Sequence, residues 1–212
     1  MGGRGANGGF GQGAGSGQRQ PASQTLEDYL GPKGPEMDHA QAAQGANPHF
    51  LESYQNRDKL YTHNCQRCVW AVELRRRGYD LEAMARTSDD TYASMDTSNP
   101  HSFLNVADTP IQLEKFGSYW RDAGAREVTD SIKSYGEGAR GMLIMQSYRR
   151  RSGHVCNWEV KNGKAIIYDG QSNRTYSMTE LKKSGFGVFY TGRMDDKGVT
   201  DLVRDFVKRS GT

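Results

Sequence analysis

A chain of 212 residues has room for one sizeable core, but only 35% of its residues are apolar and nine of the first twenty are Gly, so the core cannot lie at the N-terminus. The net charge of +3 argues against a nucleic-acid binder, which concentrates positive charge on one face, and the only runs of three basic residues are Arg75-Arg76-Arg77 and Arg149-Arg150-Arg151. No stretch approaches the roughly 20 apolar residues of a membrane span, and the Gly-rich start carries no apolar signal segment, so any export is expected to use another route.

From Met1 to about Pro48 the sequence alternates Gly, Gln, Ala, Ser and Pro with scattered charges. Such a composition does not offset the entropy of ordering, so residues 1–48 read as a flexible linker or tail and residues 49–212 as a single catalytic domain. Phe50 to Tyr54 reads as a brief helix. After it Cys65, Cys68, Val69 and Val72 fall at i, i+3, i+4 and i+7, with Trp70, Ala71 and Leu74 widening the face, which predicts a largely buried helix. Asn64 suits its N-cap, and Gly78, after three arginines, suits the left-handed position past its end. The arginine runs themselves read as solvated faces or as charges meeting a helix dipole.

Thr87 to Pro100 reads as a loop, and Gln112 to Ala123 as a second helix, because Leu113, Phe116, Tyr119 and Trp120 recur at helical spacing and read as core. Three β-prone runs follow: Gly141 to Met145, His154 to Val160, and Ala165 to Tyr168. Asn162-Gly163 joins the last two, and Asn-Gly between such runs predicts a tight hairpin. A fourth strand is expected at Phe186 to Tyr190, with helices at Thr179 to Lys183 and Thr200 to Lys208. Helices first and then an antiparallel sheet make an α+β domain.

Three cysteines, Cys65, Cys68 and Cys156, leave at least one thiol free. A thiol becomes a useful nucleophile when a helix N-terminus and a neighbouring imidazolium stabilise its thiolate. Cys65 is placed for the first condition, since it opens the predicted helix. His154 opens one strand of the hairpin and Asp169 closes the other, so pairing about Asn162-Gly163 brings the carboxylate toward the imidazole and lets it orient the ring. Each residue also has a plain structural reading: a core cysteine, a strand histidine, and an aspartate in a turn. Cys68 is the rival nucleophile, one turn deeper in the helix, where the dipole effect has decayed.

For the oxyanion, the Cys65 backbone N–H and the Asn64 side chain are the nearest donors, although Asn64 is also the helix cap. Gln171 either orients His154, lines the cleft or shapes a turn. Trp158 shares strand parity with His154 and either shields the ion pair or packs in the core. A zinc site would need a second ligand pair and a redox Cys-x-x-Cys a βαβ setting, so neither metal nor cofactor is expected.

These residues match a known pattern in two blocks. Asn64-Cys65-Gln66-Arg67-Cys68-Val69, with Glu73 to Asp80 after it, resembles the first half of the signature of the papain-fold toxin family of bacterial polymorphic toxins and phage head-associated proteins. Gly153-His154, the Asn157-Trp158-Glu159-Val160 strand and Tyr168-Asp169-Gly170-Gln171 resemble the second half. The resemblance runs from about Tyr61 to Lys208, with a poorly matched middle. It implies a papain-like fold, with N-terminal helices carrying the nucleophile packed on an antiparallel sheet, and a Cys65-His154-Asp169 triad.

Several relatives deamidate protein glutamines. The implied function is a delivered or secreted effector that acts on a target protein in a recipient cytoplasm, with an immunity protein as a possible inhibitor. The same triad also serves cysteine proteases, and the same fold a non-catalytic binding or phage structural module, so those readings stay open.

Overall fold

The computed structural model describes residues 24–86, 102–117, 124–147 and 152–211. The expected loop at Thr87 to Pro100 and the second arginine run lie outside the described residues.

Order begins well before residue 48, which corrects the expected tail for residues 24–48. Helix α1, Leu26–Leu30, starts from a Thr25 cap. Helix α2, His39–Ala46, starts from a full capping box in which Asp38 accepts the Gln41 N–H and the Gln41 side chain returns to the Asp38 N–H. Leu30, Ala42, Ala43 and Ala46 are buried. The low apolar count misled because small Ala side chains contribute little hydrophobicity yet let two helices pack closely.

A short helix α3, Phe50–Asn56, leads to α4, Cys65–Arg76. Residues Gln66 to Leu74 of α4 are all buried, so the helix runs through the middle of the domain. It ends as expected: Gly78 has φ 98, its N–H reaches the Arg75 carbonyl and the Tyr79 N–H reaches the Leu74 carbonyl, the paired bonds of a Schellman motif.

Arg75, Arg76 and Arg77 do not form a solvated face. Arg75 donates to Asp80 at 2.8 Å. Arg76 pairs with Glu159 at 3.0 Å, and Arg77 bonds Glu73 at 2.8 Å and the carbonyls of Met194 and Lys197. The run pins the C-terminal end of the helix to the sheet and to the loop after it.

The main sheet has six antiparallel strands: β2, Glu114–Gly117; β3, Arg140–Ser147; β4, Ser152–Lys161; β5, Lys164–Asp169; β6, Arg174–Tyr176; and β7, Val188–Arg193. Their spatial order is β2-β7-β3-β4-β5-β6. Short strands β1, Leu81–Ala83, and β8, Val207–Arg209, pair separately. One sheet face, with Met142, Ile144, Val155 and Tyr168, packs on α2 and α4. The other, with Leu143, Met145, Trp158, Ile167 and Phe189, packs on Val128 and Ile132 of α5, Gly124–Ser134, and on Leu181 of α6, Met178–Lys183.

Two sequence expectations fail here. Residues 114–117 form a strand against β7 where a helix is expected, and the helix begins only at Gly124; residues 118–123 lie outside the described residues. A run of four residues is too short for periodicity to separate the two, and pairing with β7 decides it. At the C-terminus a 3-10 turn, Asp201–Asp205, and β8 replace the expected helix. The Asn162-Gly163 hairpin forms as read, with φ values of 53 and 68 that give a primed turn, and the Glu137 carboxylate accepts both turn N–H groups.

Candidate active site

Cys65 is the first residue of α4 and is partly exposed. The Asn64 carbonyl takes the N–H groups of Arg67 and Cys68, so the Cys65 N–H precedes the helix ladder. The Asn157 side chain donates to the Val69 carbonyl at 3.0 Å and thereby fixes the helix lengthwise on β4. Gly170, just past β5, lets the helix come close: a Cβ there would stand 2.3 Å from Val72 Cγ2.

His154 is the third residue of β4, where the strand is paired with β3, Met145 opposite it, but not with β5, whose ladder begins at Asn157. In that register Asp169 lies one step past the Asn157–Tyr168 pair, on the face that carries His154 and Cys156, so it is the diagonal neighbour of His154. The His154 Nε2 and Asp169 Oδ2 are 3.1 Å apart. Nε2 faces the carboxylate, but the contact falls short of a straight hydrogen bond and is an ion pair. The Cys65 thiol is near enough to the same ring to add to the upward push on its pKa, behind Asp169.

The electrostatics follow from these contacts. Burial by itself would lower the His154 pKa, but the Asp169 charge and contact, with a smaller contribution from Cys65, outweigh it and push the imidazole up to about 10. Burial would raise Asp169, but His154, the Ser172 hydroxyl and the Gln171 N–H hold it below the ordinary carboxylate value. The two carboxylate oxygens divide the work. Oδ1 accepts the Gln171 N–H at 2.9 Å in an Asx turn, while Oδ2 takes the Ser172 hydroxyl at 2.6 Å and faces the imidazole. The turn contact and the approach to the imidazole therefore use different oxygens of Asp169. Ser172 was not among the sequence candidates, and its signal is its place three residues after the aspartate.

Cys68 is enclosed, its Sγ donating to Asn64 Oδ1 at 3.3 Å, and burial, with Asp169 nearby, pushes its thiol well above the usual value. Cys156 is buried too, and burial raises it likewise. Trp158 is fully buried, with its indole N–H on the Met142 carbonyl at 2.8 Å and its ring stacked on Tyr135, so it is a core residue.

Asn64 occupies the N-cap position of α4 as read, but its side chain is used elsewhere. Its side chain makes no cap bond; its amide donates to the Met84 carbonyl at 3.1 Å and to Asn47 Oδ1 at 3.3 Å, which uses both of its protons and leaves none for an oxyanion. Gln171 Nε2 donates to Asn64 Oδ1, and the Gln171 carbonyl accepts from Asn47, so Gln171 braces this buried amide cluster instead of orienting His154. Asn47, in the segment read as tail, was missed for that reason.

His154 and Asp169 open on a cleft of about 830 Å³ that is also lined by Phe50, Tyr54, Arg57 and Lys59. No group of three or more potential metal ligands occurs among the described residues. No helix among them is long and apolar enough to cross a membrane.

A search of curated proteins finds no significant match. The family model described as papain fold toxin 1, glutamine deamidase, matches residues 63–174, more than half of the chain and a span that includes Cys65, His154 and Asp169. An α+β domain with antiparallel sheets agrees with that fold, and the chain belongs to the papain fold toxin 1, glutamine deamidase family.

Proposed function

We propose that this protein is a toxin enzyme that hydrolyses the side-chain carboxamide of a glutamine in a target protein, with Cys65 as nucleophile, His154 as acid and base, and Asp169 as the group that holds the imidazole. The observation that carries the reading is one imidazole flanked by a partly exposed thiol at a helix N-terminus and a buried carboxylate at 3.1 Å.

In the reaction the Cys65 sulfur attacks the amide carbon, and the developing oxyanion meets the Cys65 backbone N–H. The imidazolium of His154 gives its proton to the nitrogen, the C–N bond breaks, and ammonia leaves a thioester. Water then attacks, its proton passing to His154, and the C–S bond breaks to release glutamate and regenerate the ion pair. With Nε2 turned to Asp169, Nδ1 is the ring nitrogen left for these transfers.

A cysteine protease would run the same steps on a main-chain amide, and family membership favours the side chain. The partial exposure of Cys65 speaks against a non-catalytic module. The same reading makes the protein a delivered effector acting inside a recipient cell, checked in its producer by an inhibitor.

The test is to mix the purified protein, and its Cys65→Ala and Cys68→Ala variants, with cytosolic lysate and to measure ammonia and intact protein masses. Ammonia release with shifts of about one dalton, lost in Cys65→Ala and kept in Cys68→Ala, is the expected result. Fragments without ammonia would replace the reading with proteolysis.

A further inference from the structure

Helix α3 and the loop after it, which border the cleft that His154 lines, are unusual for a solvent-facing surface. Tyr54 is 67% exposed and Leu51 63% exposed, side by side on α3, with Leu60 at 47% in the loop that follows. Tyr54 stacks on Phe50, and both line the cleft, so the apolar ridge is continuous with the site. Among the described residues these three are the exposed large apolar side chains, and their gathering on one element and its loop marks a contact surface.

Positive charge sits beside the ridge. Arg57 and Lys59 are exposed and line the cleft. Arg86 is held next to Leu60 by its backbone N–H on the Leu60 carbonyl at 2.7 Å. None of the three has a carboxylate partner among the described residues. Asp58, between two of them, turns its carboxylate back to accept the Leu60 N–H at 3.0 Å. The convergence of charge is felt at His63, which also lines the cleft and whose pKa is lowered by burial and by Arg86 and Lys59. The chain's own first 23 residues do not complement this surface, because their only charged side chains are Arg4 and Arg19.

We propose that this ridge and its cations hold the target protein by a segment in which apolar side chains alternate with carboxylates close to the glutamine that enters the cleft. The apolar groups cover Leu51, Tyr54 and Leu60, and the carboxylates meet Arg57, Lys59 and Arg86. The identity of the bound residue as glutamine rests on the deamidase reading above; the surface and its charge preference do not.

The probes are two short fluorescent peptides, each with a central glutamine and flanking leucines, one carrying glutamates between them and the other lysines at the same positions. Binding is followed by anisotropy with the Cys65→Ala protein, and ammonia release with the intact enzyme. The glutamate peptide is expected to bind at least about tenfold more tightly, with a preference that weakens as salt rises. The preference should reverse in Arg57→Glu/Lys59→Glu, and Tyr54→Ser should weaken binding while thermal unfolding shows both variants folded.

Equal binding of the two peptides, or a preference kept in the double variant, overturns the proposal. So does self-association of the protein that Tyr54→Ser abolishes, since the ridge would then belong to a second copy. Selective binding without ammonia release would sink the deamidase reading and leave the surface standing. Release from both peptides at equal rates would do the reverse.

Discussion

Gly170 and Val72 meet across the seam between the end of β5 and α4 at a separation that leaves no room for a side chain: a Cβ on Gly170 would lie 2.3 Å from Val72 Cγ2 and 3.4 Å from the Ala46 Cβ. The seam lies between Asp169 on one side and the helix that carries Cys65 on the other, so its width sets how close carboxylate, imidazole and thiol can come.

Gly170→Ala is therefore expected to destabilise the domain by about 1–3 kcal/mol through overpacking. It should lower activity more than the stability loss explains, because α4 must move away from Asp169. Adding Val72→Ala reopens the space, and a double-mutant cycle in urea should show recovery of part of the loss. Simple additivity of the two substitutions would count against a shared seam.

The His154–Asp169 pair makes a pH prediction with a definite sign. His154 has a folded-state pKa of about 10 against an ordinary 6.5, so its contribution to stability is fully present below about pH 6.5 and is lost as pH rises through about 10. Asp169, held below its ordinary value, contributes above that value and loses the contribution as pH falls through its lowered folded value. In Asp169→Asn the chief groups that raise His154 are gone and burial acts on it in the opposite direction. The stability gap between wild type and Asp169→Asn should accordingly be widest between the ordinary carboxylate range and about pH 6.5, narrowing toward pH 10 on one side and in acid, as Asp169 protonates, on the other, in denaturant titrations. The alkaline limb of activity should move down by at least about one unit in the variant. An unmoved limb would mean that Asp169 does not govern the imidazole.

The N-terminal boundary is testable by truncation. A chain starting at residue 24 should unfold at nearly the same temperature as the full chain, because the first described helix begins at Leu26. A chain starting at residue 49 exposes the α4 surface that α2 packs on with Ala42, Ala43 and Ala46 buried, takes Leu30 out of the same core and removes the Asn47 bonds to Tyr61 and Gln171. It should lose at least about 3 kcal/mol or fail to fold, as judged by thermal unfolding and far-UV circular dichroism. Equal stability of the two truncated chains would show that α1 and α2 are dispensable.

Local chemistry determined much of this protein directly from sequence. The buried helix from Cys65, its glycine stop at Gly78 and the Asn162-Gly163 hairpin each follow from spacing or from backbone freedom, and all three form as read. The family also followed from short blocks around Cys65, His154 and Asp169. Where an element depended on a distant partner, the sequence pattern was ambiguous. Residues 114–117 became a strand because β7 offered a ladder, and Val207–Arg209 because β1 did. The alanines of α2 became core because α4 lay beside them.

The site divides in the same way. Residue types and hairpin register placed His154 near Asp169 without coordinates, since pairing through a two-residue turn is a local constraint. Only the tertiary structure decided that Cys65 stays partly exposed while Cys68 is sealed, that Asn64 spends its amide inside, and that Ser172 holds the carboxylate. Those outcomes depend on how α4 seats against β4 and β5, a packing relation between segments about ninety residues apart that the Asn157–Val69 bond and Gly170 enforce and no local pattern encodes.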